Sequence, residues 1–186
     1  MFFPPVSFGL VEEGLYRSAL PNEINYPFLE RLGLKTIIYL YPDDDIDAQL
    51  VSFLEDQDVT LVSLGEHDDK RNKSWAPVGE EIVLAALERI VDSVHHPVLI
   101  TCNTGKHRTG TVVACLRKLQ RWNLTSIFEE YRRFTKHKVR FSNPVSHMIV
   151  RGCIASWSFG TREILWSCLH VCDVSLRCSR RRETFP

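Results

Sequence analysis

The residues Cys102-Asn103-Thr104-Gly105-Lys106-His107-Arg108-Thr109 stand between a short apolar run, Pro97-Val98-Leu99-Ile100, and an amphipathic segment from Thr111 to Leu119. A run that short, then a polar loop, then apolar residues at helical spacing, predicts a strand, a turn and a helix in immediate succession. A cysteine at such a turn can offer a thiolate to a phosphorus atom. The loop amides and the arginine six positions on can hold the phosphate oxygens meanwhile.

The flanking chain repeats the alternation. Pro4 to Phe8 is expected to be an extended lead-in, and Gly14-Leu15-Tyr16-Arg17 a short strand. Asn25 to Leu32 has apolar residues at helical spacing and stops at Gly33. Lys35-Thr36-Ile37-Ile38-Tyr39-Leu40-Tyr41 is β-branched and aromatic, so it predicts a buried strand ending before Pro42. Asp43-Asp44-Asp45 is a turn and helix-start signal, with the helix running through Leu50, Phe53 and Leu54. Val59 to Leu64 predicts another strand, and Gly65 to Pro77 a long polar loop of the kind that often carries function. Val78 to Val94 predicts a helix with Ile82, Val83, Ala86, Leu87, Ile90, Val91 and Val94 on one stripe. Val98 to Thr101 is then a strand, Arg108 to Leu119 a helix, and Ile127, Phe128, Tyr131 and Phe134 mark one more helix.

Such alternation argues for an α/β domain with a central, mostly parallel sheet flanked by helices. Sites in these sheets lie at the carboxyl ends of the strands, where Cys102 falls. The domain is expected to span residues 1–141. Residues 142–186 form an atypical tail with no sustained period, ending near Arg180-Arg181-Arg182, and are expected to be poorly ordered.

The formal net charge of zero hides an asymmetry. Residues 1–102 carry 7 Lys/Arg against 18 Asp/Glu, whereas residues 103–141 carry 10 against 2. Positive charge therefore begins at the cysteine loop, which favours an anionic substrate over a merely solvated basic face. No apolar stretch reaches the length of a membrane span, and the N-terminal residues lack the pattern of a signal peptide. Four of the six cysteines crowd the tail without framework spacing, and Cys102 would be useless in a disulfide. A reducing, cytoplasmic compartment is expected.

Each loop residue has a chemical reason. A free thiol, with a pKa of about 8.5, is mostly protonated at neutral pH, and a helix N-terminus with nearby cations favours the thiolate. The amides opening the helix, from Asn103 through His107, would bind phosphate, and Lys106 and His107 add charge. Arg108 offers a planar fork for two oxygens. Gly105 permits the closing turn, and Gly110 permits close packing. Thr109 can stabilise a departing thiolate. A nucleotide-binding P-loop is excluded, because Ile100 stands where its first glycine belongs and His107 follows Lys106. A rhodanese-like sulfur transferase also opens a helix with a cysteine loop, but Arg108-Thr109-Gly110 favours phosphoryl chemistry.

A phosphoester leaving group needs a proton, and Asp68 or Asp69 in the polar loop could donate it if burial or bound phosphate raises its pKa. The stretch Asp43 to Asp45 is the weaker candidate, being a helix cap by pattern. His95 and His96 lack metal-ligand spacing and are expected at a helix end; no metal or cofactor is expected.

These residues resemble the plant and fungal atypical dual-specificity phosphatases within the protein-tyrosine phosphatase superfamily. The resemblance rests on Gly14-Leu15-Tyr16-Arg17-Ser18, on Phe28 to Ile38, on His96-Pro97-Val98-Leu99-Ile100 and on the cysteine loop through Gly110. It continues with Arg117 to Trp122 and Ile127 to Phe134. It implies a compact phosphatase domain with no metal, a phosphocysteine intermediate on Cys102, phosphate binding by Arg108, and either a phosphotyrosine protein or an inositol pyrophosphate as substrate; no nucleic-acid partner is expected. Superfamily members usually place histidine before the cysteine, where this chain has Thr101, and a catalytically impaired phosphate-binding scaffold is the alternative that departure raises. The chain beyond Phe141 departs from the family's closing helix.

Overall fold

A computed structural model describes residues 1–41, 46–65 and 78–135 of the chain. Its central strand, β5 (Val98–Cys102), is buried at every position. It pairs in parallel with β2 (Leu15–Ala19) on one side and β3 (Thr36–Tyr39) on the other. Beyond β3 lies β4 (Thr60–Ser63), also parallel, and beyond β2 lies β1 (Gly9–Glu12), antiparallel. The sheet order is therefore β1-β2-β5-β3-β4. The expected mostly parallel α/β sheet is present, with one antiparallel edge.

Period-two alternation sends the two faces of the central strands into different cores. Val98, Ile100, Cys102 and Ile38 pack with α3 (Glu80–Val91) and α4 (His107–Leu119), through Val83, Leu87, Ile90, Val112, Val113 and Leu116. Leu99 and Ile37 pack instead with α1 (Tyr26–Leu32) and α2 (Ala48–Asp56), through Leu29, Leu50 and Leu54. Leu99 and Ile100 are fully buried, and each such side chain contributes about 1.5–3 kcal/mol relative to exposure. A third cluster, Ala114 with Ile127 and Tyr131, docks α5 (Leu124–Thr135) on the outer side of α4. Flanked on all sides, α4 is buried continuously from Arg108 to Arg117. A helix so enclosed gives the loop before it a rigid floor.

Three local expectations are corrected. The lead-in at Pro4 to Phe8 is not extended throughout: it turns at Val6 and Ser7, with the Phe8 amide donating to the Pro5 carbonyl at 3.2 Å, and is followed by an additional strand, β1, which turns into β2 through Gly14 at a φ of 72°. The helix expected to start at Asp43 to Asp45 is capped by Asp47, whose carboxylate accepts from the Gln49 amide at 3.1 Å; residues 42–45 lie outside the described residues. Val94 does not extend the stripe of α3. That helix ends at Val91, because the Asp92 carboxylate takes the Val94 amide at 3.0 Å and starts a short 3-10 turn, leaving Val94 72% exposed. His95 lies in this turn, and a ring nitrogen of His96 meets the Ile90 carbonyl at 2.7 Å, so both are helix-end residues. Among the described residues, no helix is long and apolar enough to cross a membrane.

Candidate active site

Cys102 ends β5 at the carboxyl edge of the sheet, 3% exposed. The chain then turns at once: the Gly105 amide donates to the Cys102 carbonyl at 3.2 Å, and α4 begins at His107. The Cys102 carbonyl also accepts from the Leu20 amide at 2.9 Å, which ties the loop's first residue to the end of β2.

Gly105 is the tightest point of the loop. Its φ of 66° lies in the left-handed region, and a Cβ there would fall 2.4 Å from the Ala19 nitrogen and 2.5 Å from the Ser18 carbonyl carbon. Both are backbone atoms of a paired strand. Glycine is thus required for conformation and for space.

The side chains converge on the sulfur from several elements. Thr109, in the first turn of α4, donates its hydroxyl to Cys102 Sγ at 3.1 Å. Arg108 is 2% exposed; its Nη1 donates to the Leu40 carbonyl at 3.1 Å, and its guanidinium lies 4.5 Å from the Tyr41 ring. The residues just after β3 therefore set the orientation of the arginine. Tyr39, at the end of β3, donates its hydroxyl to Asn103 Oδ1 at 2.6 Å and so reaches the exposed side of the loop. Thr104, Lys106 and His107 are half-buried around the rim.

From the far side, α5 braces the helix start. His107 Nδ1 and the Tyr131 hydroxyl are 3.0 Å apart. The Tyr131 ring fills the space Gly110 leaves open, since a Cβ on Gly110 would come within 2.8 Å of it. Burial raises the Tyr131 pKa to about 12; the nearby Arg17 works against that rise and Cys102 adds to it. Tyr131 is consequently a neutral phenol across the physiological range.

The structure thus brings together Cys102, Asn103, Thr104, Gly105, Lys106, His107, Arg108 and Thr109 in one strand-loop-helix turn. Asp68 and Asp69 lie outside the described residues, as do Asp43, Asp44 and Asp45. Thr101 is fully buried, and its hydroxyl finds no hydrogen-bond partner among the described residues. Three supporting side chains lie outside the loop motif: Arg17, Tyr39 and Tyr131. A signal existed for Arg17, a charged residue set inside a strand whose neighbours Leu15, Ser18 and Ala19 are buried. The two tyrosines carry none, because apolar strand and helix patterns explain them equally well.

A thiol at a strand end, backed by a hydroxyl donor, a helix N-terminus and an arginine fixed at the loop's far end, can attack phosphorus and then leave it. That combination on a mostly parallel sheet defines a cysteine-based phosphatase. The profile of the Tyrosine phosphatase family matches residues 2–145, and the chain belongs to this family. It is 57% identical over 140 residues to the probable tyrosine-protein phosphatase DG1060 of Dictyostelium discoideum, covering 75% of this chain and 82% of that one. It is 38% identical over 143 residues to inositol diphosphatase DSP4 of Arabidopsis thaliana, covering 77% and 71%. Among solved structures, the core catalytic domain of the PP-IP phosphatase SIW14 from S. cerevisiae superposes with a TM-score of 0.72 at 36% identity, covering 81% of this chain and 88% of that one.

Proposed function

We propose that this chain hydrolyses a phosphoanhydride of an inositol pyrophosphate through a phosphocysteine on Cys102. The single observation that carries the covalent route is the hydrogen bond from Thr109 to the Cys102 sulfur. In the first step a bond forms between Cys102 Sγ and phosphorus, and the bond to the leaving oxygen breaks. That oxygen keeps the electron pair and takes a proton from Asp68 or Asp69. Water then attacks phosphorus and gives a proton back to that aspartate, the bond between sulfur and phosphorus breaks with the sulfur departing as thiolate toward Thr109, and inorganic phosphate is released. Arg108 and the amides from Asn103 to His107 hold the phosphoryl oxygens, with Lys106 and His107 adding charge at the rim. Residues 1–141 form the catalytic unit in this reading, and the family match ending at residue 145 supports it.

Charge and leaving-group chemistry favour the pyrophosphate. A phosphate leaving group has a pKa of about 6, against about 10 for a tyrosine phenol, so it asks less of the acid. The excess of 10 Lys/Arg over 2 Asp/Glu across residues 103–141 suits a polyanion. Names among the relatives, inositol diphosphatase and PP-IP phosphatase, point the same way. A phosphotyrosine protein is the second reading, favoured by the name of the 57% identical relative. Parallel turnover assays on an inositol pyrophosphate and a phosphotyrosine peptide decide between them; failure to turn over the former removes the first reading. A catalytically impaired scaffold would bind both and release nothing, so multiple turnovers from purified protein eliminate it. The same reading expects a reducing, cytoplasmic compartment, because a Cys102 held in a disulfide could not act as the nucleophile.

A further inference from the structure

Arg17 is the feature of the fold least explained by stability. It sits in the middle of β2, opposite Ile100 of β5, and is 1% exposed. Its Nη2 donates to the Gly105 carbonyl at 2.9 Å, a bond joining positions 88 residues apart. Its Nε and Nη1 find no hydrogen-bond partner among the described residues. The guanidinium instead lies 3.7 Å from the Phe134 ring of α5.

Arg117 shows what a structural arginine in this protein looks like. It is also buried, yet it donates to Glu12, Glu130, Gln120 and the Val11 carbonyl, so its charge is matched and its donors are used. Among the described residues Arg17 has no such carboxylate bond; Glu130, the acid that acts on it, is held by Arg117. Burying a guanidinium this incompletely satisfied is costly, and an apolar side chain would pack the same space without that cost. A charge retained under these terms calls for a task.

We propose that Arg17 is a positioning residue for the phosphate-binding loop, which it holds in the binding geometry by fixing the carbonyl of Gly105. The peptide between Gly105 and Lys106 is trans, so turning its carbonyl toward Arg17 turns the Lys106 amide the opposite way, away from β2. The β2 backbone blocks Gly105 from shifting on one side, and the Arg17 bond sets the rotation of its peptide on the other. Burial lowers the Arg17 pKa to about 10, offset in part by Glu130, Cys102 and Tyr131, so the side chain is still a cation at neutral pH. The groups facing it are Glu130 and Tyr131 from α5 and Cys102 from β5; Lys106 and Arg108 are the loop's own basic residues, with His107 between them in sequence. This assignment rests on the phosphatase reading of Cys102.

The test compares wild-type protein with Arg17→Met and Arg17→Lys. Orthovanadate affinity, the KM and kcat for p-nitrophenyl phosphate, and the thermal midpoint would be measured for each. Loss of a charge-assisted hydrogen bond to the loop predicts that vanadate binding and kcat/KM fall roughly 10- to 100-fold in Arg17→Met. Arg17→Lys should recover part of the loss, because its ammonium restores the charge and can donate to Gly105. A control, Phe134→Leu, removes the ring under the guanidinium but not the bond, and should lower the thermal midpoint with vanadate affinity retained. If Arg17→Met does not fold, vanadate affinity of Arg17→Lys carries the test, expected to be weaker than wild type. Variants that bind vanadate and turn over as wild type does would overturn the assignment while leaving the phosphatase reading intact. A wild-type protein that neither binds vanadate nor releases phosphate would overturn both.

Discussion

The hydroxyl of Thr109 donates to the sulfur of Cys102 across 3.1 Å, with both residues buried. They are seven positions apart in sequence, and the turn at Gly105 closes that gap. A donor there strengthens as the sulfur gains negative charge, which happens when phosphocysteine is hydrolysed. Thr109→Ala is expected to lower kcat roughly 10- to 100-fold, the range for a hydrogen bond to a charged group. The first-turnover burst of leaving group should persist, and Thr109→Ser should restore turnover. A rapid-quench experiment reads both phases, and an unchanged steady state would remove Thr109 from the mechanism.

Two left-handed glycines separate strain from crowding. Gly33 ends α1 with a φ of 57° and has nothing within 4 Å of a built Cβ, whereas Gly105 faces the β2 backbone at 2.4 Å. Gly33→Ala should cost about 1–2 kcal/mol of stability, the conformational penalty alone, with activity intact. Gly105→Ala should cost more and abolish phosphate release, because paired strand atoms cannot yield. Urea denaturation alongside activity checks both, and an active Gly105→Ala protein would show that the loop tolerates rearrangement.

Tyr131 predicts a pH signature. Burial, opposed by Arg17 and aided by Cys102, raises its folded pKa to about 12, above the ordinary 10.0. The unfolded chain therefore releases this proton first. The contribution to stability is fully present below about pH 10 and is lost as pH climbs through about 12. Arg17, lowered to about 10 by burial, runs the other way: the unfolded chain keeps its proton longer, so stability gains over the same window. Tyr131→Phe should cost about 1 kcal/mol at neutral pH through the lost contact with His107. It should also make the pH dependence of stability between about 10 and 12 less negative than in wild type, because the Tyr131 loss is removed while the Arg17 gain remains. Thermal midpoints across that range check the sign; parallel declines in both proteins would refute it.

The strand-loop-helix turn was legible because its parts are adjacent in sequence, and the spacing from Cys102 to Arg108 with Gly105 and Thr109 between and after admits few other uses. The buried strands β3 and β5 were legible from β-branched and apolar runs. Less readable was β1, a four-residue edge strand with a polar end at Glu12 that shows no sustained alternation. The end of α3 escaped because a valine at the right period, Val94, was displaced by a competing cap from Asp92. Arg17, Tyr39 and Tyr131 reach the loop only through pairing and packing across the fold. Their relation to Cys102 is tertiary, and no local pattern records it.

The proposed reaction stands or falls with a phosphoryl group on Cys102 during turnover. Mass spectrometry of acid-quenched protein under substrate saturation tests it directly, with Cys102→Ser as the paired control. A phosphoryl adduct on the peptide containing Cys102 is expected, with no phosphate release from the serine variant. Sustained phosphate release by Cys102→Ser, or an adduct on a different residue, would contradict it.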